Sequence, residues 1–304
     1  MQSLIESIYK ECSGGKMGGK VASYIPELMK ADPADFGIAV LTDSGEEYSA
    51  GKADLRFTMQ SVIKPVIFLL ALIDNGYDAV RRIVGVEATG KPFDTFNYSD
   101  RALSGEHINP MVNAGAIALC SLIKGDTYEE KIERLISFTK KLAGSDDIYV
   151  DEAVYLSEYA TGNKNRALGY MLKAYGLIDG EVEPLVNTYF RACSISANCR
   201  ELARIAYVLS MRGTLPSGEV LFSKEYARYV NAIMTISGMY DGSGEFAMRV
   251  GVPAKSGVGG GIMSVIPGKM GIGIYSPALD PKGNSVAGVR ALEILNERIG
   301  ISIF

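Results

Sequence analysis

The sequence predicts an α/β (α+β) fold: a sheet built from both ends of the chain, helices packed on it, and a helical region inserted between. Three observations carry this. Short apolar runs bounded by turn residues occur around residues 36–50 and return after Gly244. Between about 86 and 236 long helical patterns replace them, with few alternating β-branched runs. An amphipathic segment, Val286 to Ile299, closes the chain.

Each element follows from local chemistry. Met1 to Ser13 alternates polar and apolar residues around Glu6, Lys10 and Glu11 and reads as a short amphipathic helix, without the continuous apolar core of a signal peptide. Phe36 to Thr42, the turn Asp43-Ser44-Gly45 and Glu46 to Ala50 read as a β-hairpin. Ser61 to Asp74 is an apolar helix closed by Asn75-Gly76, with Pro65 in its first turn, where a missing N–H costs little. Helices are expected at Met111 to Ile123, Tyr128 to Leu142, Asp151 to Tyr159, Asn165 to Tyr175 and Asn198 to Met211. Strands are expected at Glu245 to Val250, Val252 to Gly257, Gly261 to Ile266 and Gly271 to Tyr275. This divides the chain into a sheet part, 1–85 with 237–304, and a helical part, 86–236, forming one compact unit with a cleft between them.

Composition narrows the function classes. A chain of 304 residues buries a core without disulfide or metal staples. Its net charge of −4 argues against nucleic acid or an anionic membrane as partner. Cys12, Cys120, Cys193 and Cys199 form no C-x-x-C pair, and His107 is the single histidine, so a zinc site lacks ligands and free thiols in a reducing cytoplasm are expected. His107 alone also excludes chemistry needing several histidines and fits a loop or capping role. The longest apolar run, Val66 to Ile73, is far short of the roughly 18–20 residues of a membrane span.

Chemistry enters at Phe57-Thr-Met-Gln-Ser61-Val-Ile-Lys64-Pro, which follows a strand and opens a helix. Residues three apart share a helix face, so Ser61 and Lys64 can meet. A serine hydroxyl is a weak nucleophile until a base takes its proton, and a lysine serves only where burial or nearby positive charge disfavours its ammonium. Val62, Ile63, Val66 and Ile67 offer that apolar setting. Alone, the spacing is equally a serine N-cap beside a surface lysine. Lys255-Ser256-Gly257, on an expected strand ahead of Val258-Gly-Gly-Gly261, supplies the second half of the S-x-x-K and K-S/T-G pairing of serine β-lactamases and penicillin-binding proteins. The glycines would let substrate approach the backbone, or simply make a turn; a phosphate loop is a third reading and a poor one, because no helix and no G-K-S/T ending follow.

Longer segments carry a closer match. Gln60-Ser-Val-Ile-Lys64, Asn109-Pro-Met-Val-Asn113-Ala-Gly-Ala116, Tyr189-Phe-Arg-Ala-Cys-Ser-Ile195, Gly238-Met-Tyr240-Asp-Gly-Ser-Gly-Glu-Phe246 and Gly251-Val-Pro-Ala-Lys-Ser-Gly-Val-Gly-Gly-Gly261 resemble the serine-dependent glutaminases, enzymes related to β-lactamases. The resemblance runs from Gly19-Lys-Val-Ala-Ser-Tyr24-Ile-Pro-Glu-Leu28 to the C-terminal helix. It implies a β-lactamase/transpeptidase-like fold, an antiparallel sheet from both chain ends flanked by helices, and hydrolysis of L-glutamine to L-glutamate and ammonia. It further implies Ser61 as nucleophile, Lys64 as base and Tyr240 as proton-transfer partner, with the backbone N–H groups of Ser61 and Val258 as the oxyanion hole. Tyr24, Ser61, Asn113, Glu158, Asn165, Tyr189, Tyr240 and Val258 would contact glutamine. No metal or cofactor is implied; a cytoplasmic homodimer or homotetramer is.

The residue types suit that substrate. Glu158 matches an α-ammonium, while Asn113, Asn165 and the tyrosine hydroxyls match an α-carboxylate and an amide. Each also has a plain alternative: Glu158 and Asn165 as solvated helix residues, Asn113 as a helix cap, Tyr24 and Tyr189 as core aromatics. Ile63 stands where the family usually carries a second serine, lowering polarity beside Lys64 while leaving the dyad intact. Two rival readings remain, a penicillin-recognising serine hydrolase and a non-catalytic glutamine-binding scaffold.

Overall fold

The computed structural model describes residues 1–15, 17–88 and 108–304, so His107 lies outside the described residues. The strands are β1 (Gly37–Thr42), β2 (Glu47–Gly51), β3 (Phe57–Thr58), β4 (Tyr149–Val150), β5 (Ile195–Ala197), β6 (Ala254–Ser256), β7 (Gly261–Ile266) and β8 (Met270–Tyr275). The helices are α1 (Gln2–Cys12), α2 (Lys64–Asn75), α3 (Tyr77–Arg81), α4 (Asn113–Ser121), α5 (Tyr128–Ala143) and α6 (Glu152–Thr161). They continue as α7 (Asn163–Ala174), α8 (Val182–Cys193), α9 (Cys199–Ser210), α10 (Lys224–Ser237), α11 (Ser243–Arg249) and α12 (Val286–Ile299).

Strands from both ends of the chain form one antiparallel sheet in the order β2-β1-β8-β7-β6. Its two-residue alternation sorts side chains onto two faces. Ile38, Val40, Ile262, Ile272 and Ile274 join Ile5 and Ile8 of α1 and Ala291, Leu292 and Leu295 of α12 in one core. Ala39, Leu41, Met263 and Val265 join Leu202, Ala203 and Ile205 of α9 and the helical part in the other. A sheet covered on both faces loses the polar-out alternation of a solvated one, which is why β1, β7 and β8 are buried throughout.

Helix α9 lies so close to β8 that two strand positions must lack a side chain. A Cβ on Gly271 would stand 2.1 Å from the Tyr207 nitrogen, and one on Gly273 2.1 Å from the Cys199 carbonyl oxygen. Gly271→Ala is therefore expected to destabilise the fold by about 2–3 kcal/mol, the range of overpacked cores, where alanine on an uncrowded strand would be neutral or better. Urea denaturation checks this; an unchanged midpoint would refute the close approach.

Most helix limits follow their local signals. Thr127 and Glu130 form a capping box at α5, and Asn198 and Glu201 form another at α9. Gly76, at φ +79°, ends α2. Two expectations fail. Residues 245–250, expected as a strand, belong largely to helix α11. Phe246 and Val250, four apart, bury one face there, and the Ser243 hydroxyl accepts from Met239 N–H and donates to the Tyr240 carbonyl, closing the preceding turn. The helical part also contains β4 and β5, which pair with β3 in a second small sheet, order β3-β5-β4. Pieces of two or three residues carry no periodicity to read. Helices α3, α8 and α10 are additions to the sequence reading.

Candidate active site

The site begins where β3 turns into α2. Arg56 anchors the turn from outside, donating to Ser196 Oγ (3.0 Å) and pairing with the buried Glu201 carboxylate (3.2 Å). Met59 N–H then bonds the Ile195 carbonyl (2.8 Å), and Gln60 adopts φ +48°. A non-glycine residue there costs about 1–3 kcal/mol and persists only where its surroundings enforce it. Residues 60–63 form a 3-10 turn, so Ser61 enters α2 as part of a helix, with Lys64 N–H on its carbonyl. Ser61 makes no side-chain cap, and Lys64 is fully buried, so neither plain alternative for this pair holds.

Two distant segments close on Ser61. Tyr240, also left-handed at φ +52°, places its hydroxyl beside the Ser61 side chain and the Val258 backbone. Burial pushes that hydroxyl's pKa well above the usual tyrosine value, an effect those contacts only partly offset. Val258 sits in the turn between β6 and β7, closed by Gly257 N–H to the Gly261 carbonyl (2.9 Å). The glycines here serve contact within the chain: a Cβ on Gly257 would lie 2.6 Å from the Met59 carbonyl oxygen, and one on Gly259 2.8 Å from that of Thr58. The two turns press backbone to backbone, which sets Val258 beside Ser61. Among the described residues, no backbone carbonyl accepts from the N–H of Ser61 or Val258.

Lys64 is engaged by the start of α4 and the residue segment before it. Its Nζ donates to Asn113 Oδ1 (2.7 Å) and the Met111 carbonyl (3.2 Å). Asn113 opens α4 without capping it; its Oδ1 also accepts from Tyr189 OH (3.2 Å), and its Nδ2 donates to Asn165 Oδ1 (2.9 Å). Glu158, on α6, is 6% exposed, and burial raises its pKa to about 8 despite the lowering by the Lys64 charge and by a hydrogen bond from Gln60. Its Oε2 has no hydrogen-bond partner among the described residues. Tyr189 is buried, with its hydroxyl pKa pushed well up, and Asn165 is half-buried. Tyr24 stands apart from this burial at 55% exposed.

Two further residues of the matched segments belong to the cluster, though the sequence alone assigns them no individual role. Gln60 contacts Glu158 and donates to Thr58 Oγ1 (3.3 Å). Lys255 is fully buried on β6 beneath the Tyr240 ring, 4.2 Å from its centroid. The K-S/T-G motif is the sequence signal that contains Lys255, and the matched segment Gln60 to Lys64 is the one that contains Gln60. No group of three His, Cys, Asp or Glu side chains able to hold a metal, and no helix long and apolar enough to cross a membrane, occurs among the described residues. All four cysteines are free and buried. The arrangement offers a hydroxyl nucleophile, an amine and a phenol beside it, two N–H groups for a developing oxyanion, and a buried carboxylate for a cation.

Comparison with known proteins gives one consistent result. The family model described as Glutaminase matches residues 19–304. Glutaminase 2 of Clostridium perfringens (strain 13 / Type A) is 48% identical over 305 residues, spanning 100% of both chains. The structure of the probable glutaminase from Bacillus subtilis complexed with 6-diazo-5-oxo-L-norleucine superposes with a TM-score of 0.91 at 35% identity, over 100% of this chain and 96% of that one. Mglu in its glutamate form gives 0.93 at 38%, over 99% of this chain and 69% of the other.

Proposed function

The chain belongs to the glutaminase family, and we propose that it hydrolyses L-glutamine to L-glutamate and ammonia through a glutamyl-serine ester on Ser61. The observation that carries the substrate assignment is the unpartnered Oε2 of the buried Glu158. A buried carboxylate oxygen without a donor is costly, and the α-ammonium of glutamine supplies the missing charge-assisted bond. Asn113 Nδ2 occupies Asn165 Oδ1, so the Asn165 amide hydrogens remain to donate to the α-carboxylate, with Tyr189 and Tyr24 completing the pocket.

In the reaction we infer, Ser61 Oγ attacks the side-chain amide carbon as its proton passes to Lys64, directly or through Tyr240. The amide oxygen takes up negative charge at the N–H groups of Ser61 and Val258. Tyr240 hands a proton to the leaving nitrogen, the C–N bond breaks, and ammonia departs. Water then adds to the ester, giving its proton back through Tyr240 and Lys64, and glutamate leaves with Ser61 restored. The β-lactamase-like fold supplies the frame. Segments 1–85 and 237–304 carry Ser61, Tyr240 and Val258, and 86–236 carries Asn113, Glu158, Asn165 and Tyr189, so the two parts act as one catalytic unit. A cytoplasmic setting is inferred from the free buried thiols, a partner other than nucleic acid or membrane from the net charge of −4, and a homodimer or homotetramer from the family alone.

Ammonia release from L-glutamine by the purified chain, with L-asparagine and a chromogenic β-lactam beside it, tests the assignment. Glutamine alone should turn over; β-lactam cleavage without ammonia from glutamine would overturn it. The pH profile tests the role of Glu158. With a pKa of about 8, the free enzyme holds Glu158 protonated below that pH and ionised above it. Only the ionised form pairs with an ammonium, so kcat/KM should rise with pH through about 8, roughly tenfold per unit on the acid side. Glu158→Gln should lose this limb together with most of the affinity. A flat wild-type profile would refute the role.

A further inference from the structure

We propose that Lys255 is a positioning residue for Tyr240: its side chain ties the turn bearing Tyr240 to strand β6 and fixes the ring so that the hydroxyl rests between Ser61 and the Val258 N–H. The inference rests on the reaction inferred above. Lys255 is fully buried, and among the described residues no carboxylate forms an ion pair with it. Its Nζ donates instead to two carbonyls, those of Gly238 (2.9 Å) and Ser256 (2.5 Å). Gly238 ends α10 two residues before Tyr240, and Ser256 precedes Val258 by two. One amine thus holds the chain on both sides of the hydroxyl, and Ser256 N–H on the same Gly238 carbonyl (3.1 Å) tightens the join.

A buried amine without a counter-ion is expensive, and desolvation together with the Lys64 charge drives its pKa well down. The groups facing it are Lys64 from α2, Cys193 from α8 and the ring of Tyr240. The return is at Tyr240, whose left-handed backbone needs enforcement from its surroundings and whose phenol is hard to ionise where it lies. Lys255 therefore acts on the step in which Tyr240 gives its proton to the leaving nitrogen, with little bearing on glutamine binding.

The test compares L-glutamine with a γ-thioester of L-glutamate, whose thiolate leaves without needing a proton. Lys255→Met should lower kcat for glutamine about 30–100-fold, within the range of one proton-transfer catalyst, with KM changed less than about twofold. The thioester should lose no more than about threefold. On glutamine, the double variant should be no slower than Tyr240→Phe alone. Equal losses on both substrates, or losses that multiply in the double variant, would overturn the inference and mark Lys255 as structural. Should Lys255→Met fail to fold, Lys255→Gln, which keeps a donor for the carbonyls, is read by the same comparison. A wild-type chain inert towards both substrates would instead refute the proposed reaction itself.

Discussion

Ser61→Ala is expected to release ammonia from L-glutamine at least about 10⁴-fold more slowly than the native chain, as when other serine hydrolases lose their nucleophile. Ser61 is 6% exposed and lies beside the Tyr240 hydroxyl, and in the proposed reaction its own N–H is one of the two groups offered to the oxyanion. Alanine keeps that N–H, the 3-10 turn and the packing of Val62 and Ile63, so folding and glutamine binding should survive while covalent chemistry stops. Calorimetric titration of the variant with glutamine separates these effects. Retained affinity with lost turnover fits the nucleophile, whereas retained turnover would sink the acyl-enzyme altogether.

Lys64→Met should reduce kcat by about 10³-fold, within the range expected when a general base is removed. Methionine fills much of the lysine's volume, so the loss should fall on chemistry rather than on folding. A second readout comes from Glu158, whose pKa the Lys64 charge lowers. Without that charge Glu158 holds its proton to higher pH, so the rise of residual kcat/KM should move above pH 8. Asn113 loses its 2.7 Å donor and keeps Tyr189 as partner. A variant with ordinary kcat and the profile unmoved would place Lys64 outside the reaction.

Much of this was legible along the chain, unevenly. The sheet from both chain ends is evident because a buried antiparallel strand announces itself by apolar runs between turn residues, as at β1, β7 and β8. Capped helices such as α5 and α9 are legible for a similar reason, since Thr127 with Glu130 and Asn198 with Glu201 lie within one turn of each other. Residues 245–250 misled because a short apolar pattern between glycines fits a strand and a helix equally, and the burial of Phe246 decides for helix. The tiny strands β3, β4 and β5 exist only through pairing with one another.

The site divides along the same line. The spacing of Ser61 and Lys64 on a helix start, and the membership of Tyr240 and Val258 in recognisable segments, are properties of the sequence itself, since they depend on neighbours a few residues away. Burial is not. That Lys64 lies fully inside and points to Asn113, that Glu158 is a buried acid with an idle oxygen rather than a solvated helix residue, and that Lys255 stands under Tyr240 depend on segments far apart in the chain. Local interactions fix which helix or turn a residue occupies, while desolvation, pKa and contact at a site are set by whatever the remainder of the chain packs against it. The tertiary structure alone therefore decided which of the matched residues meet, and it brought Gln60 and Lys255 into the cluster.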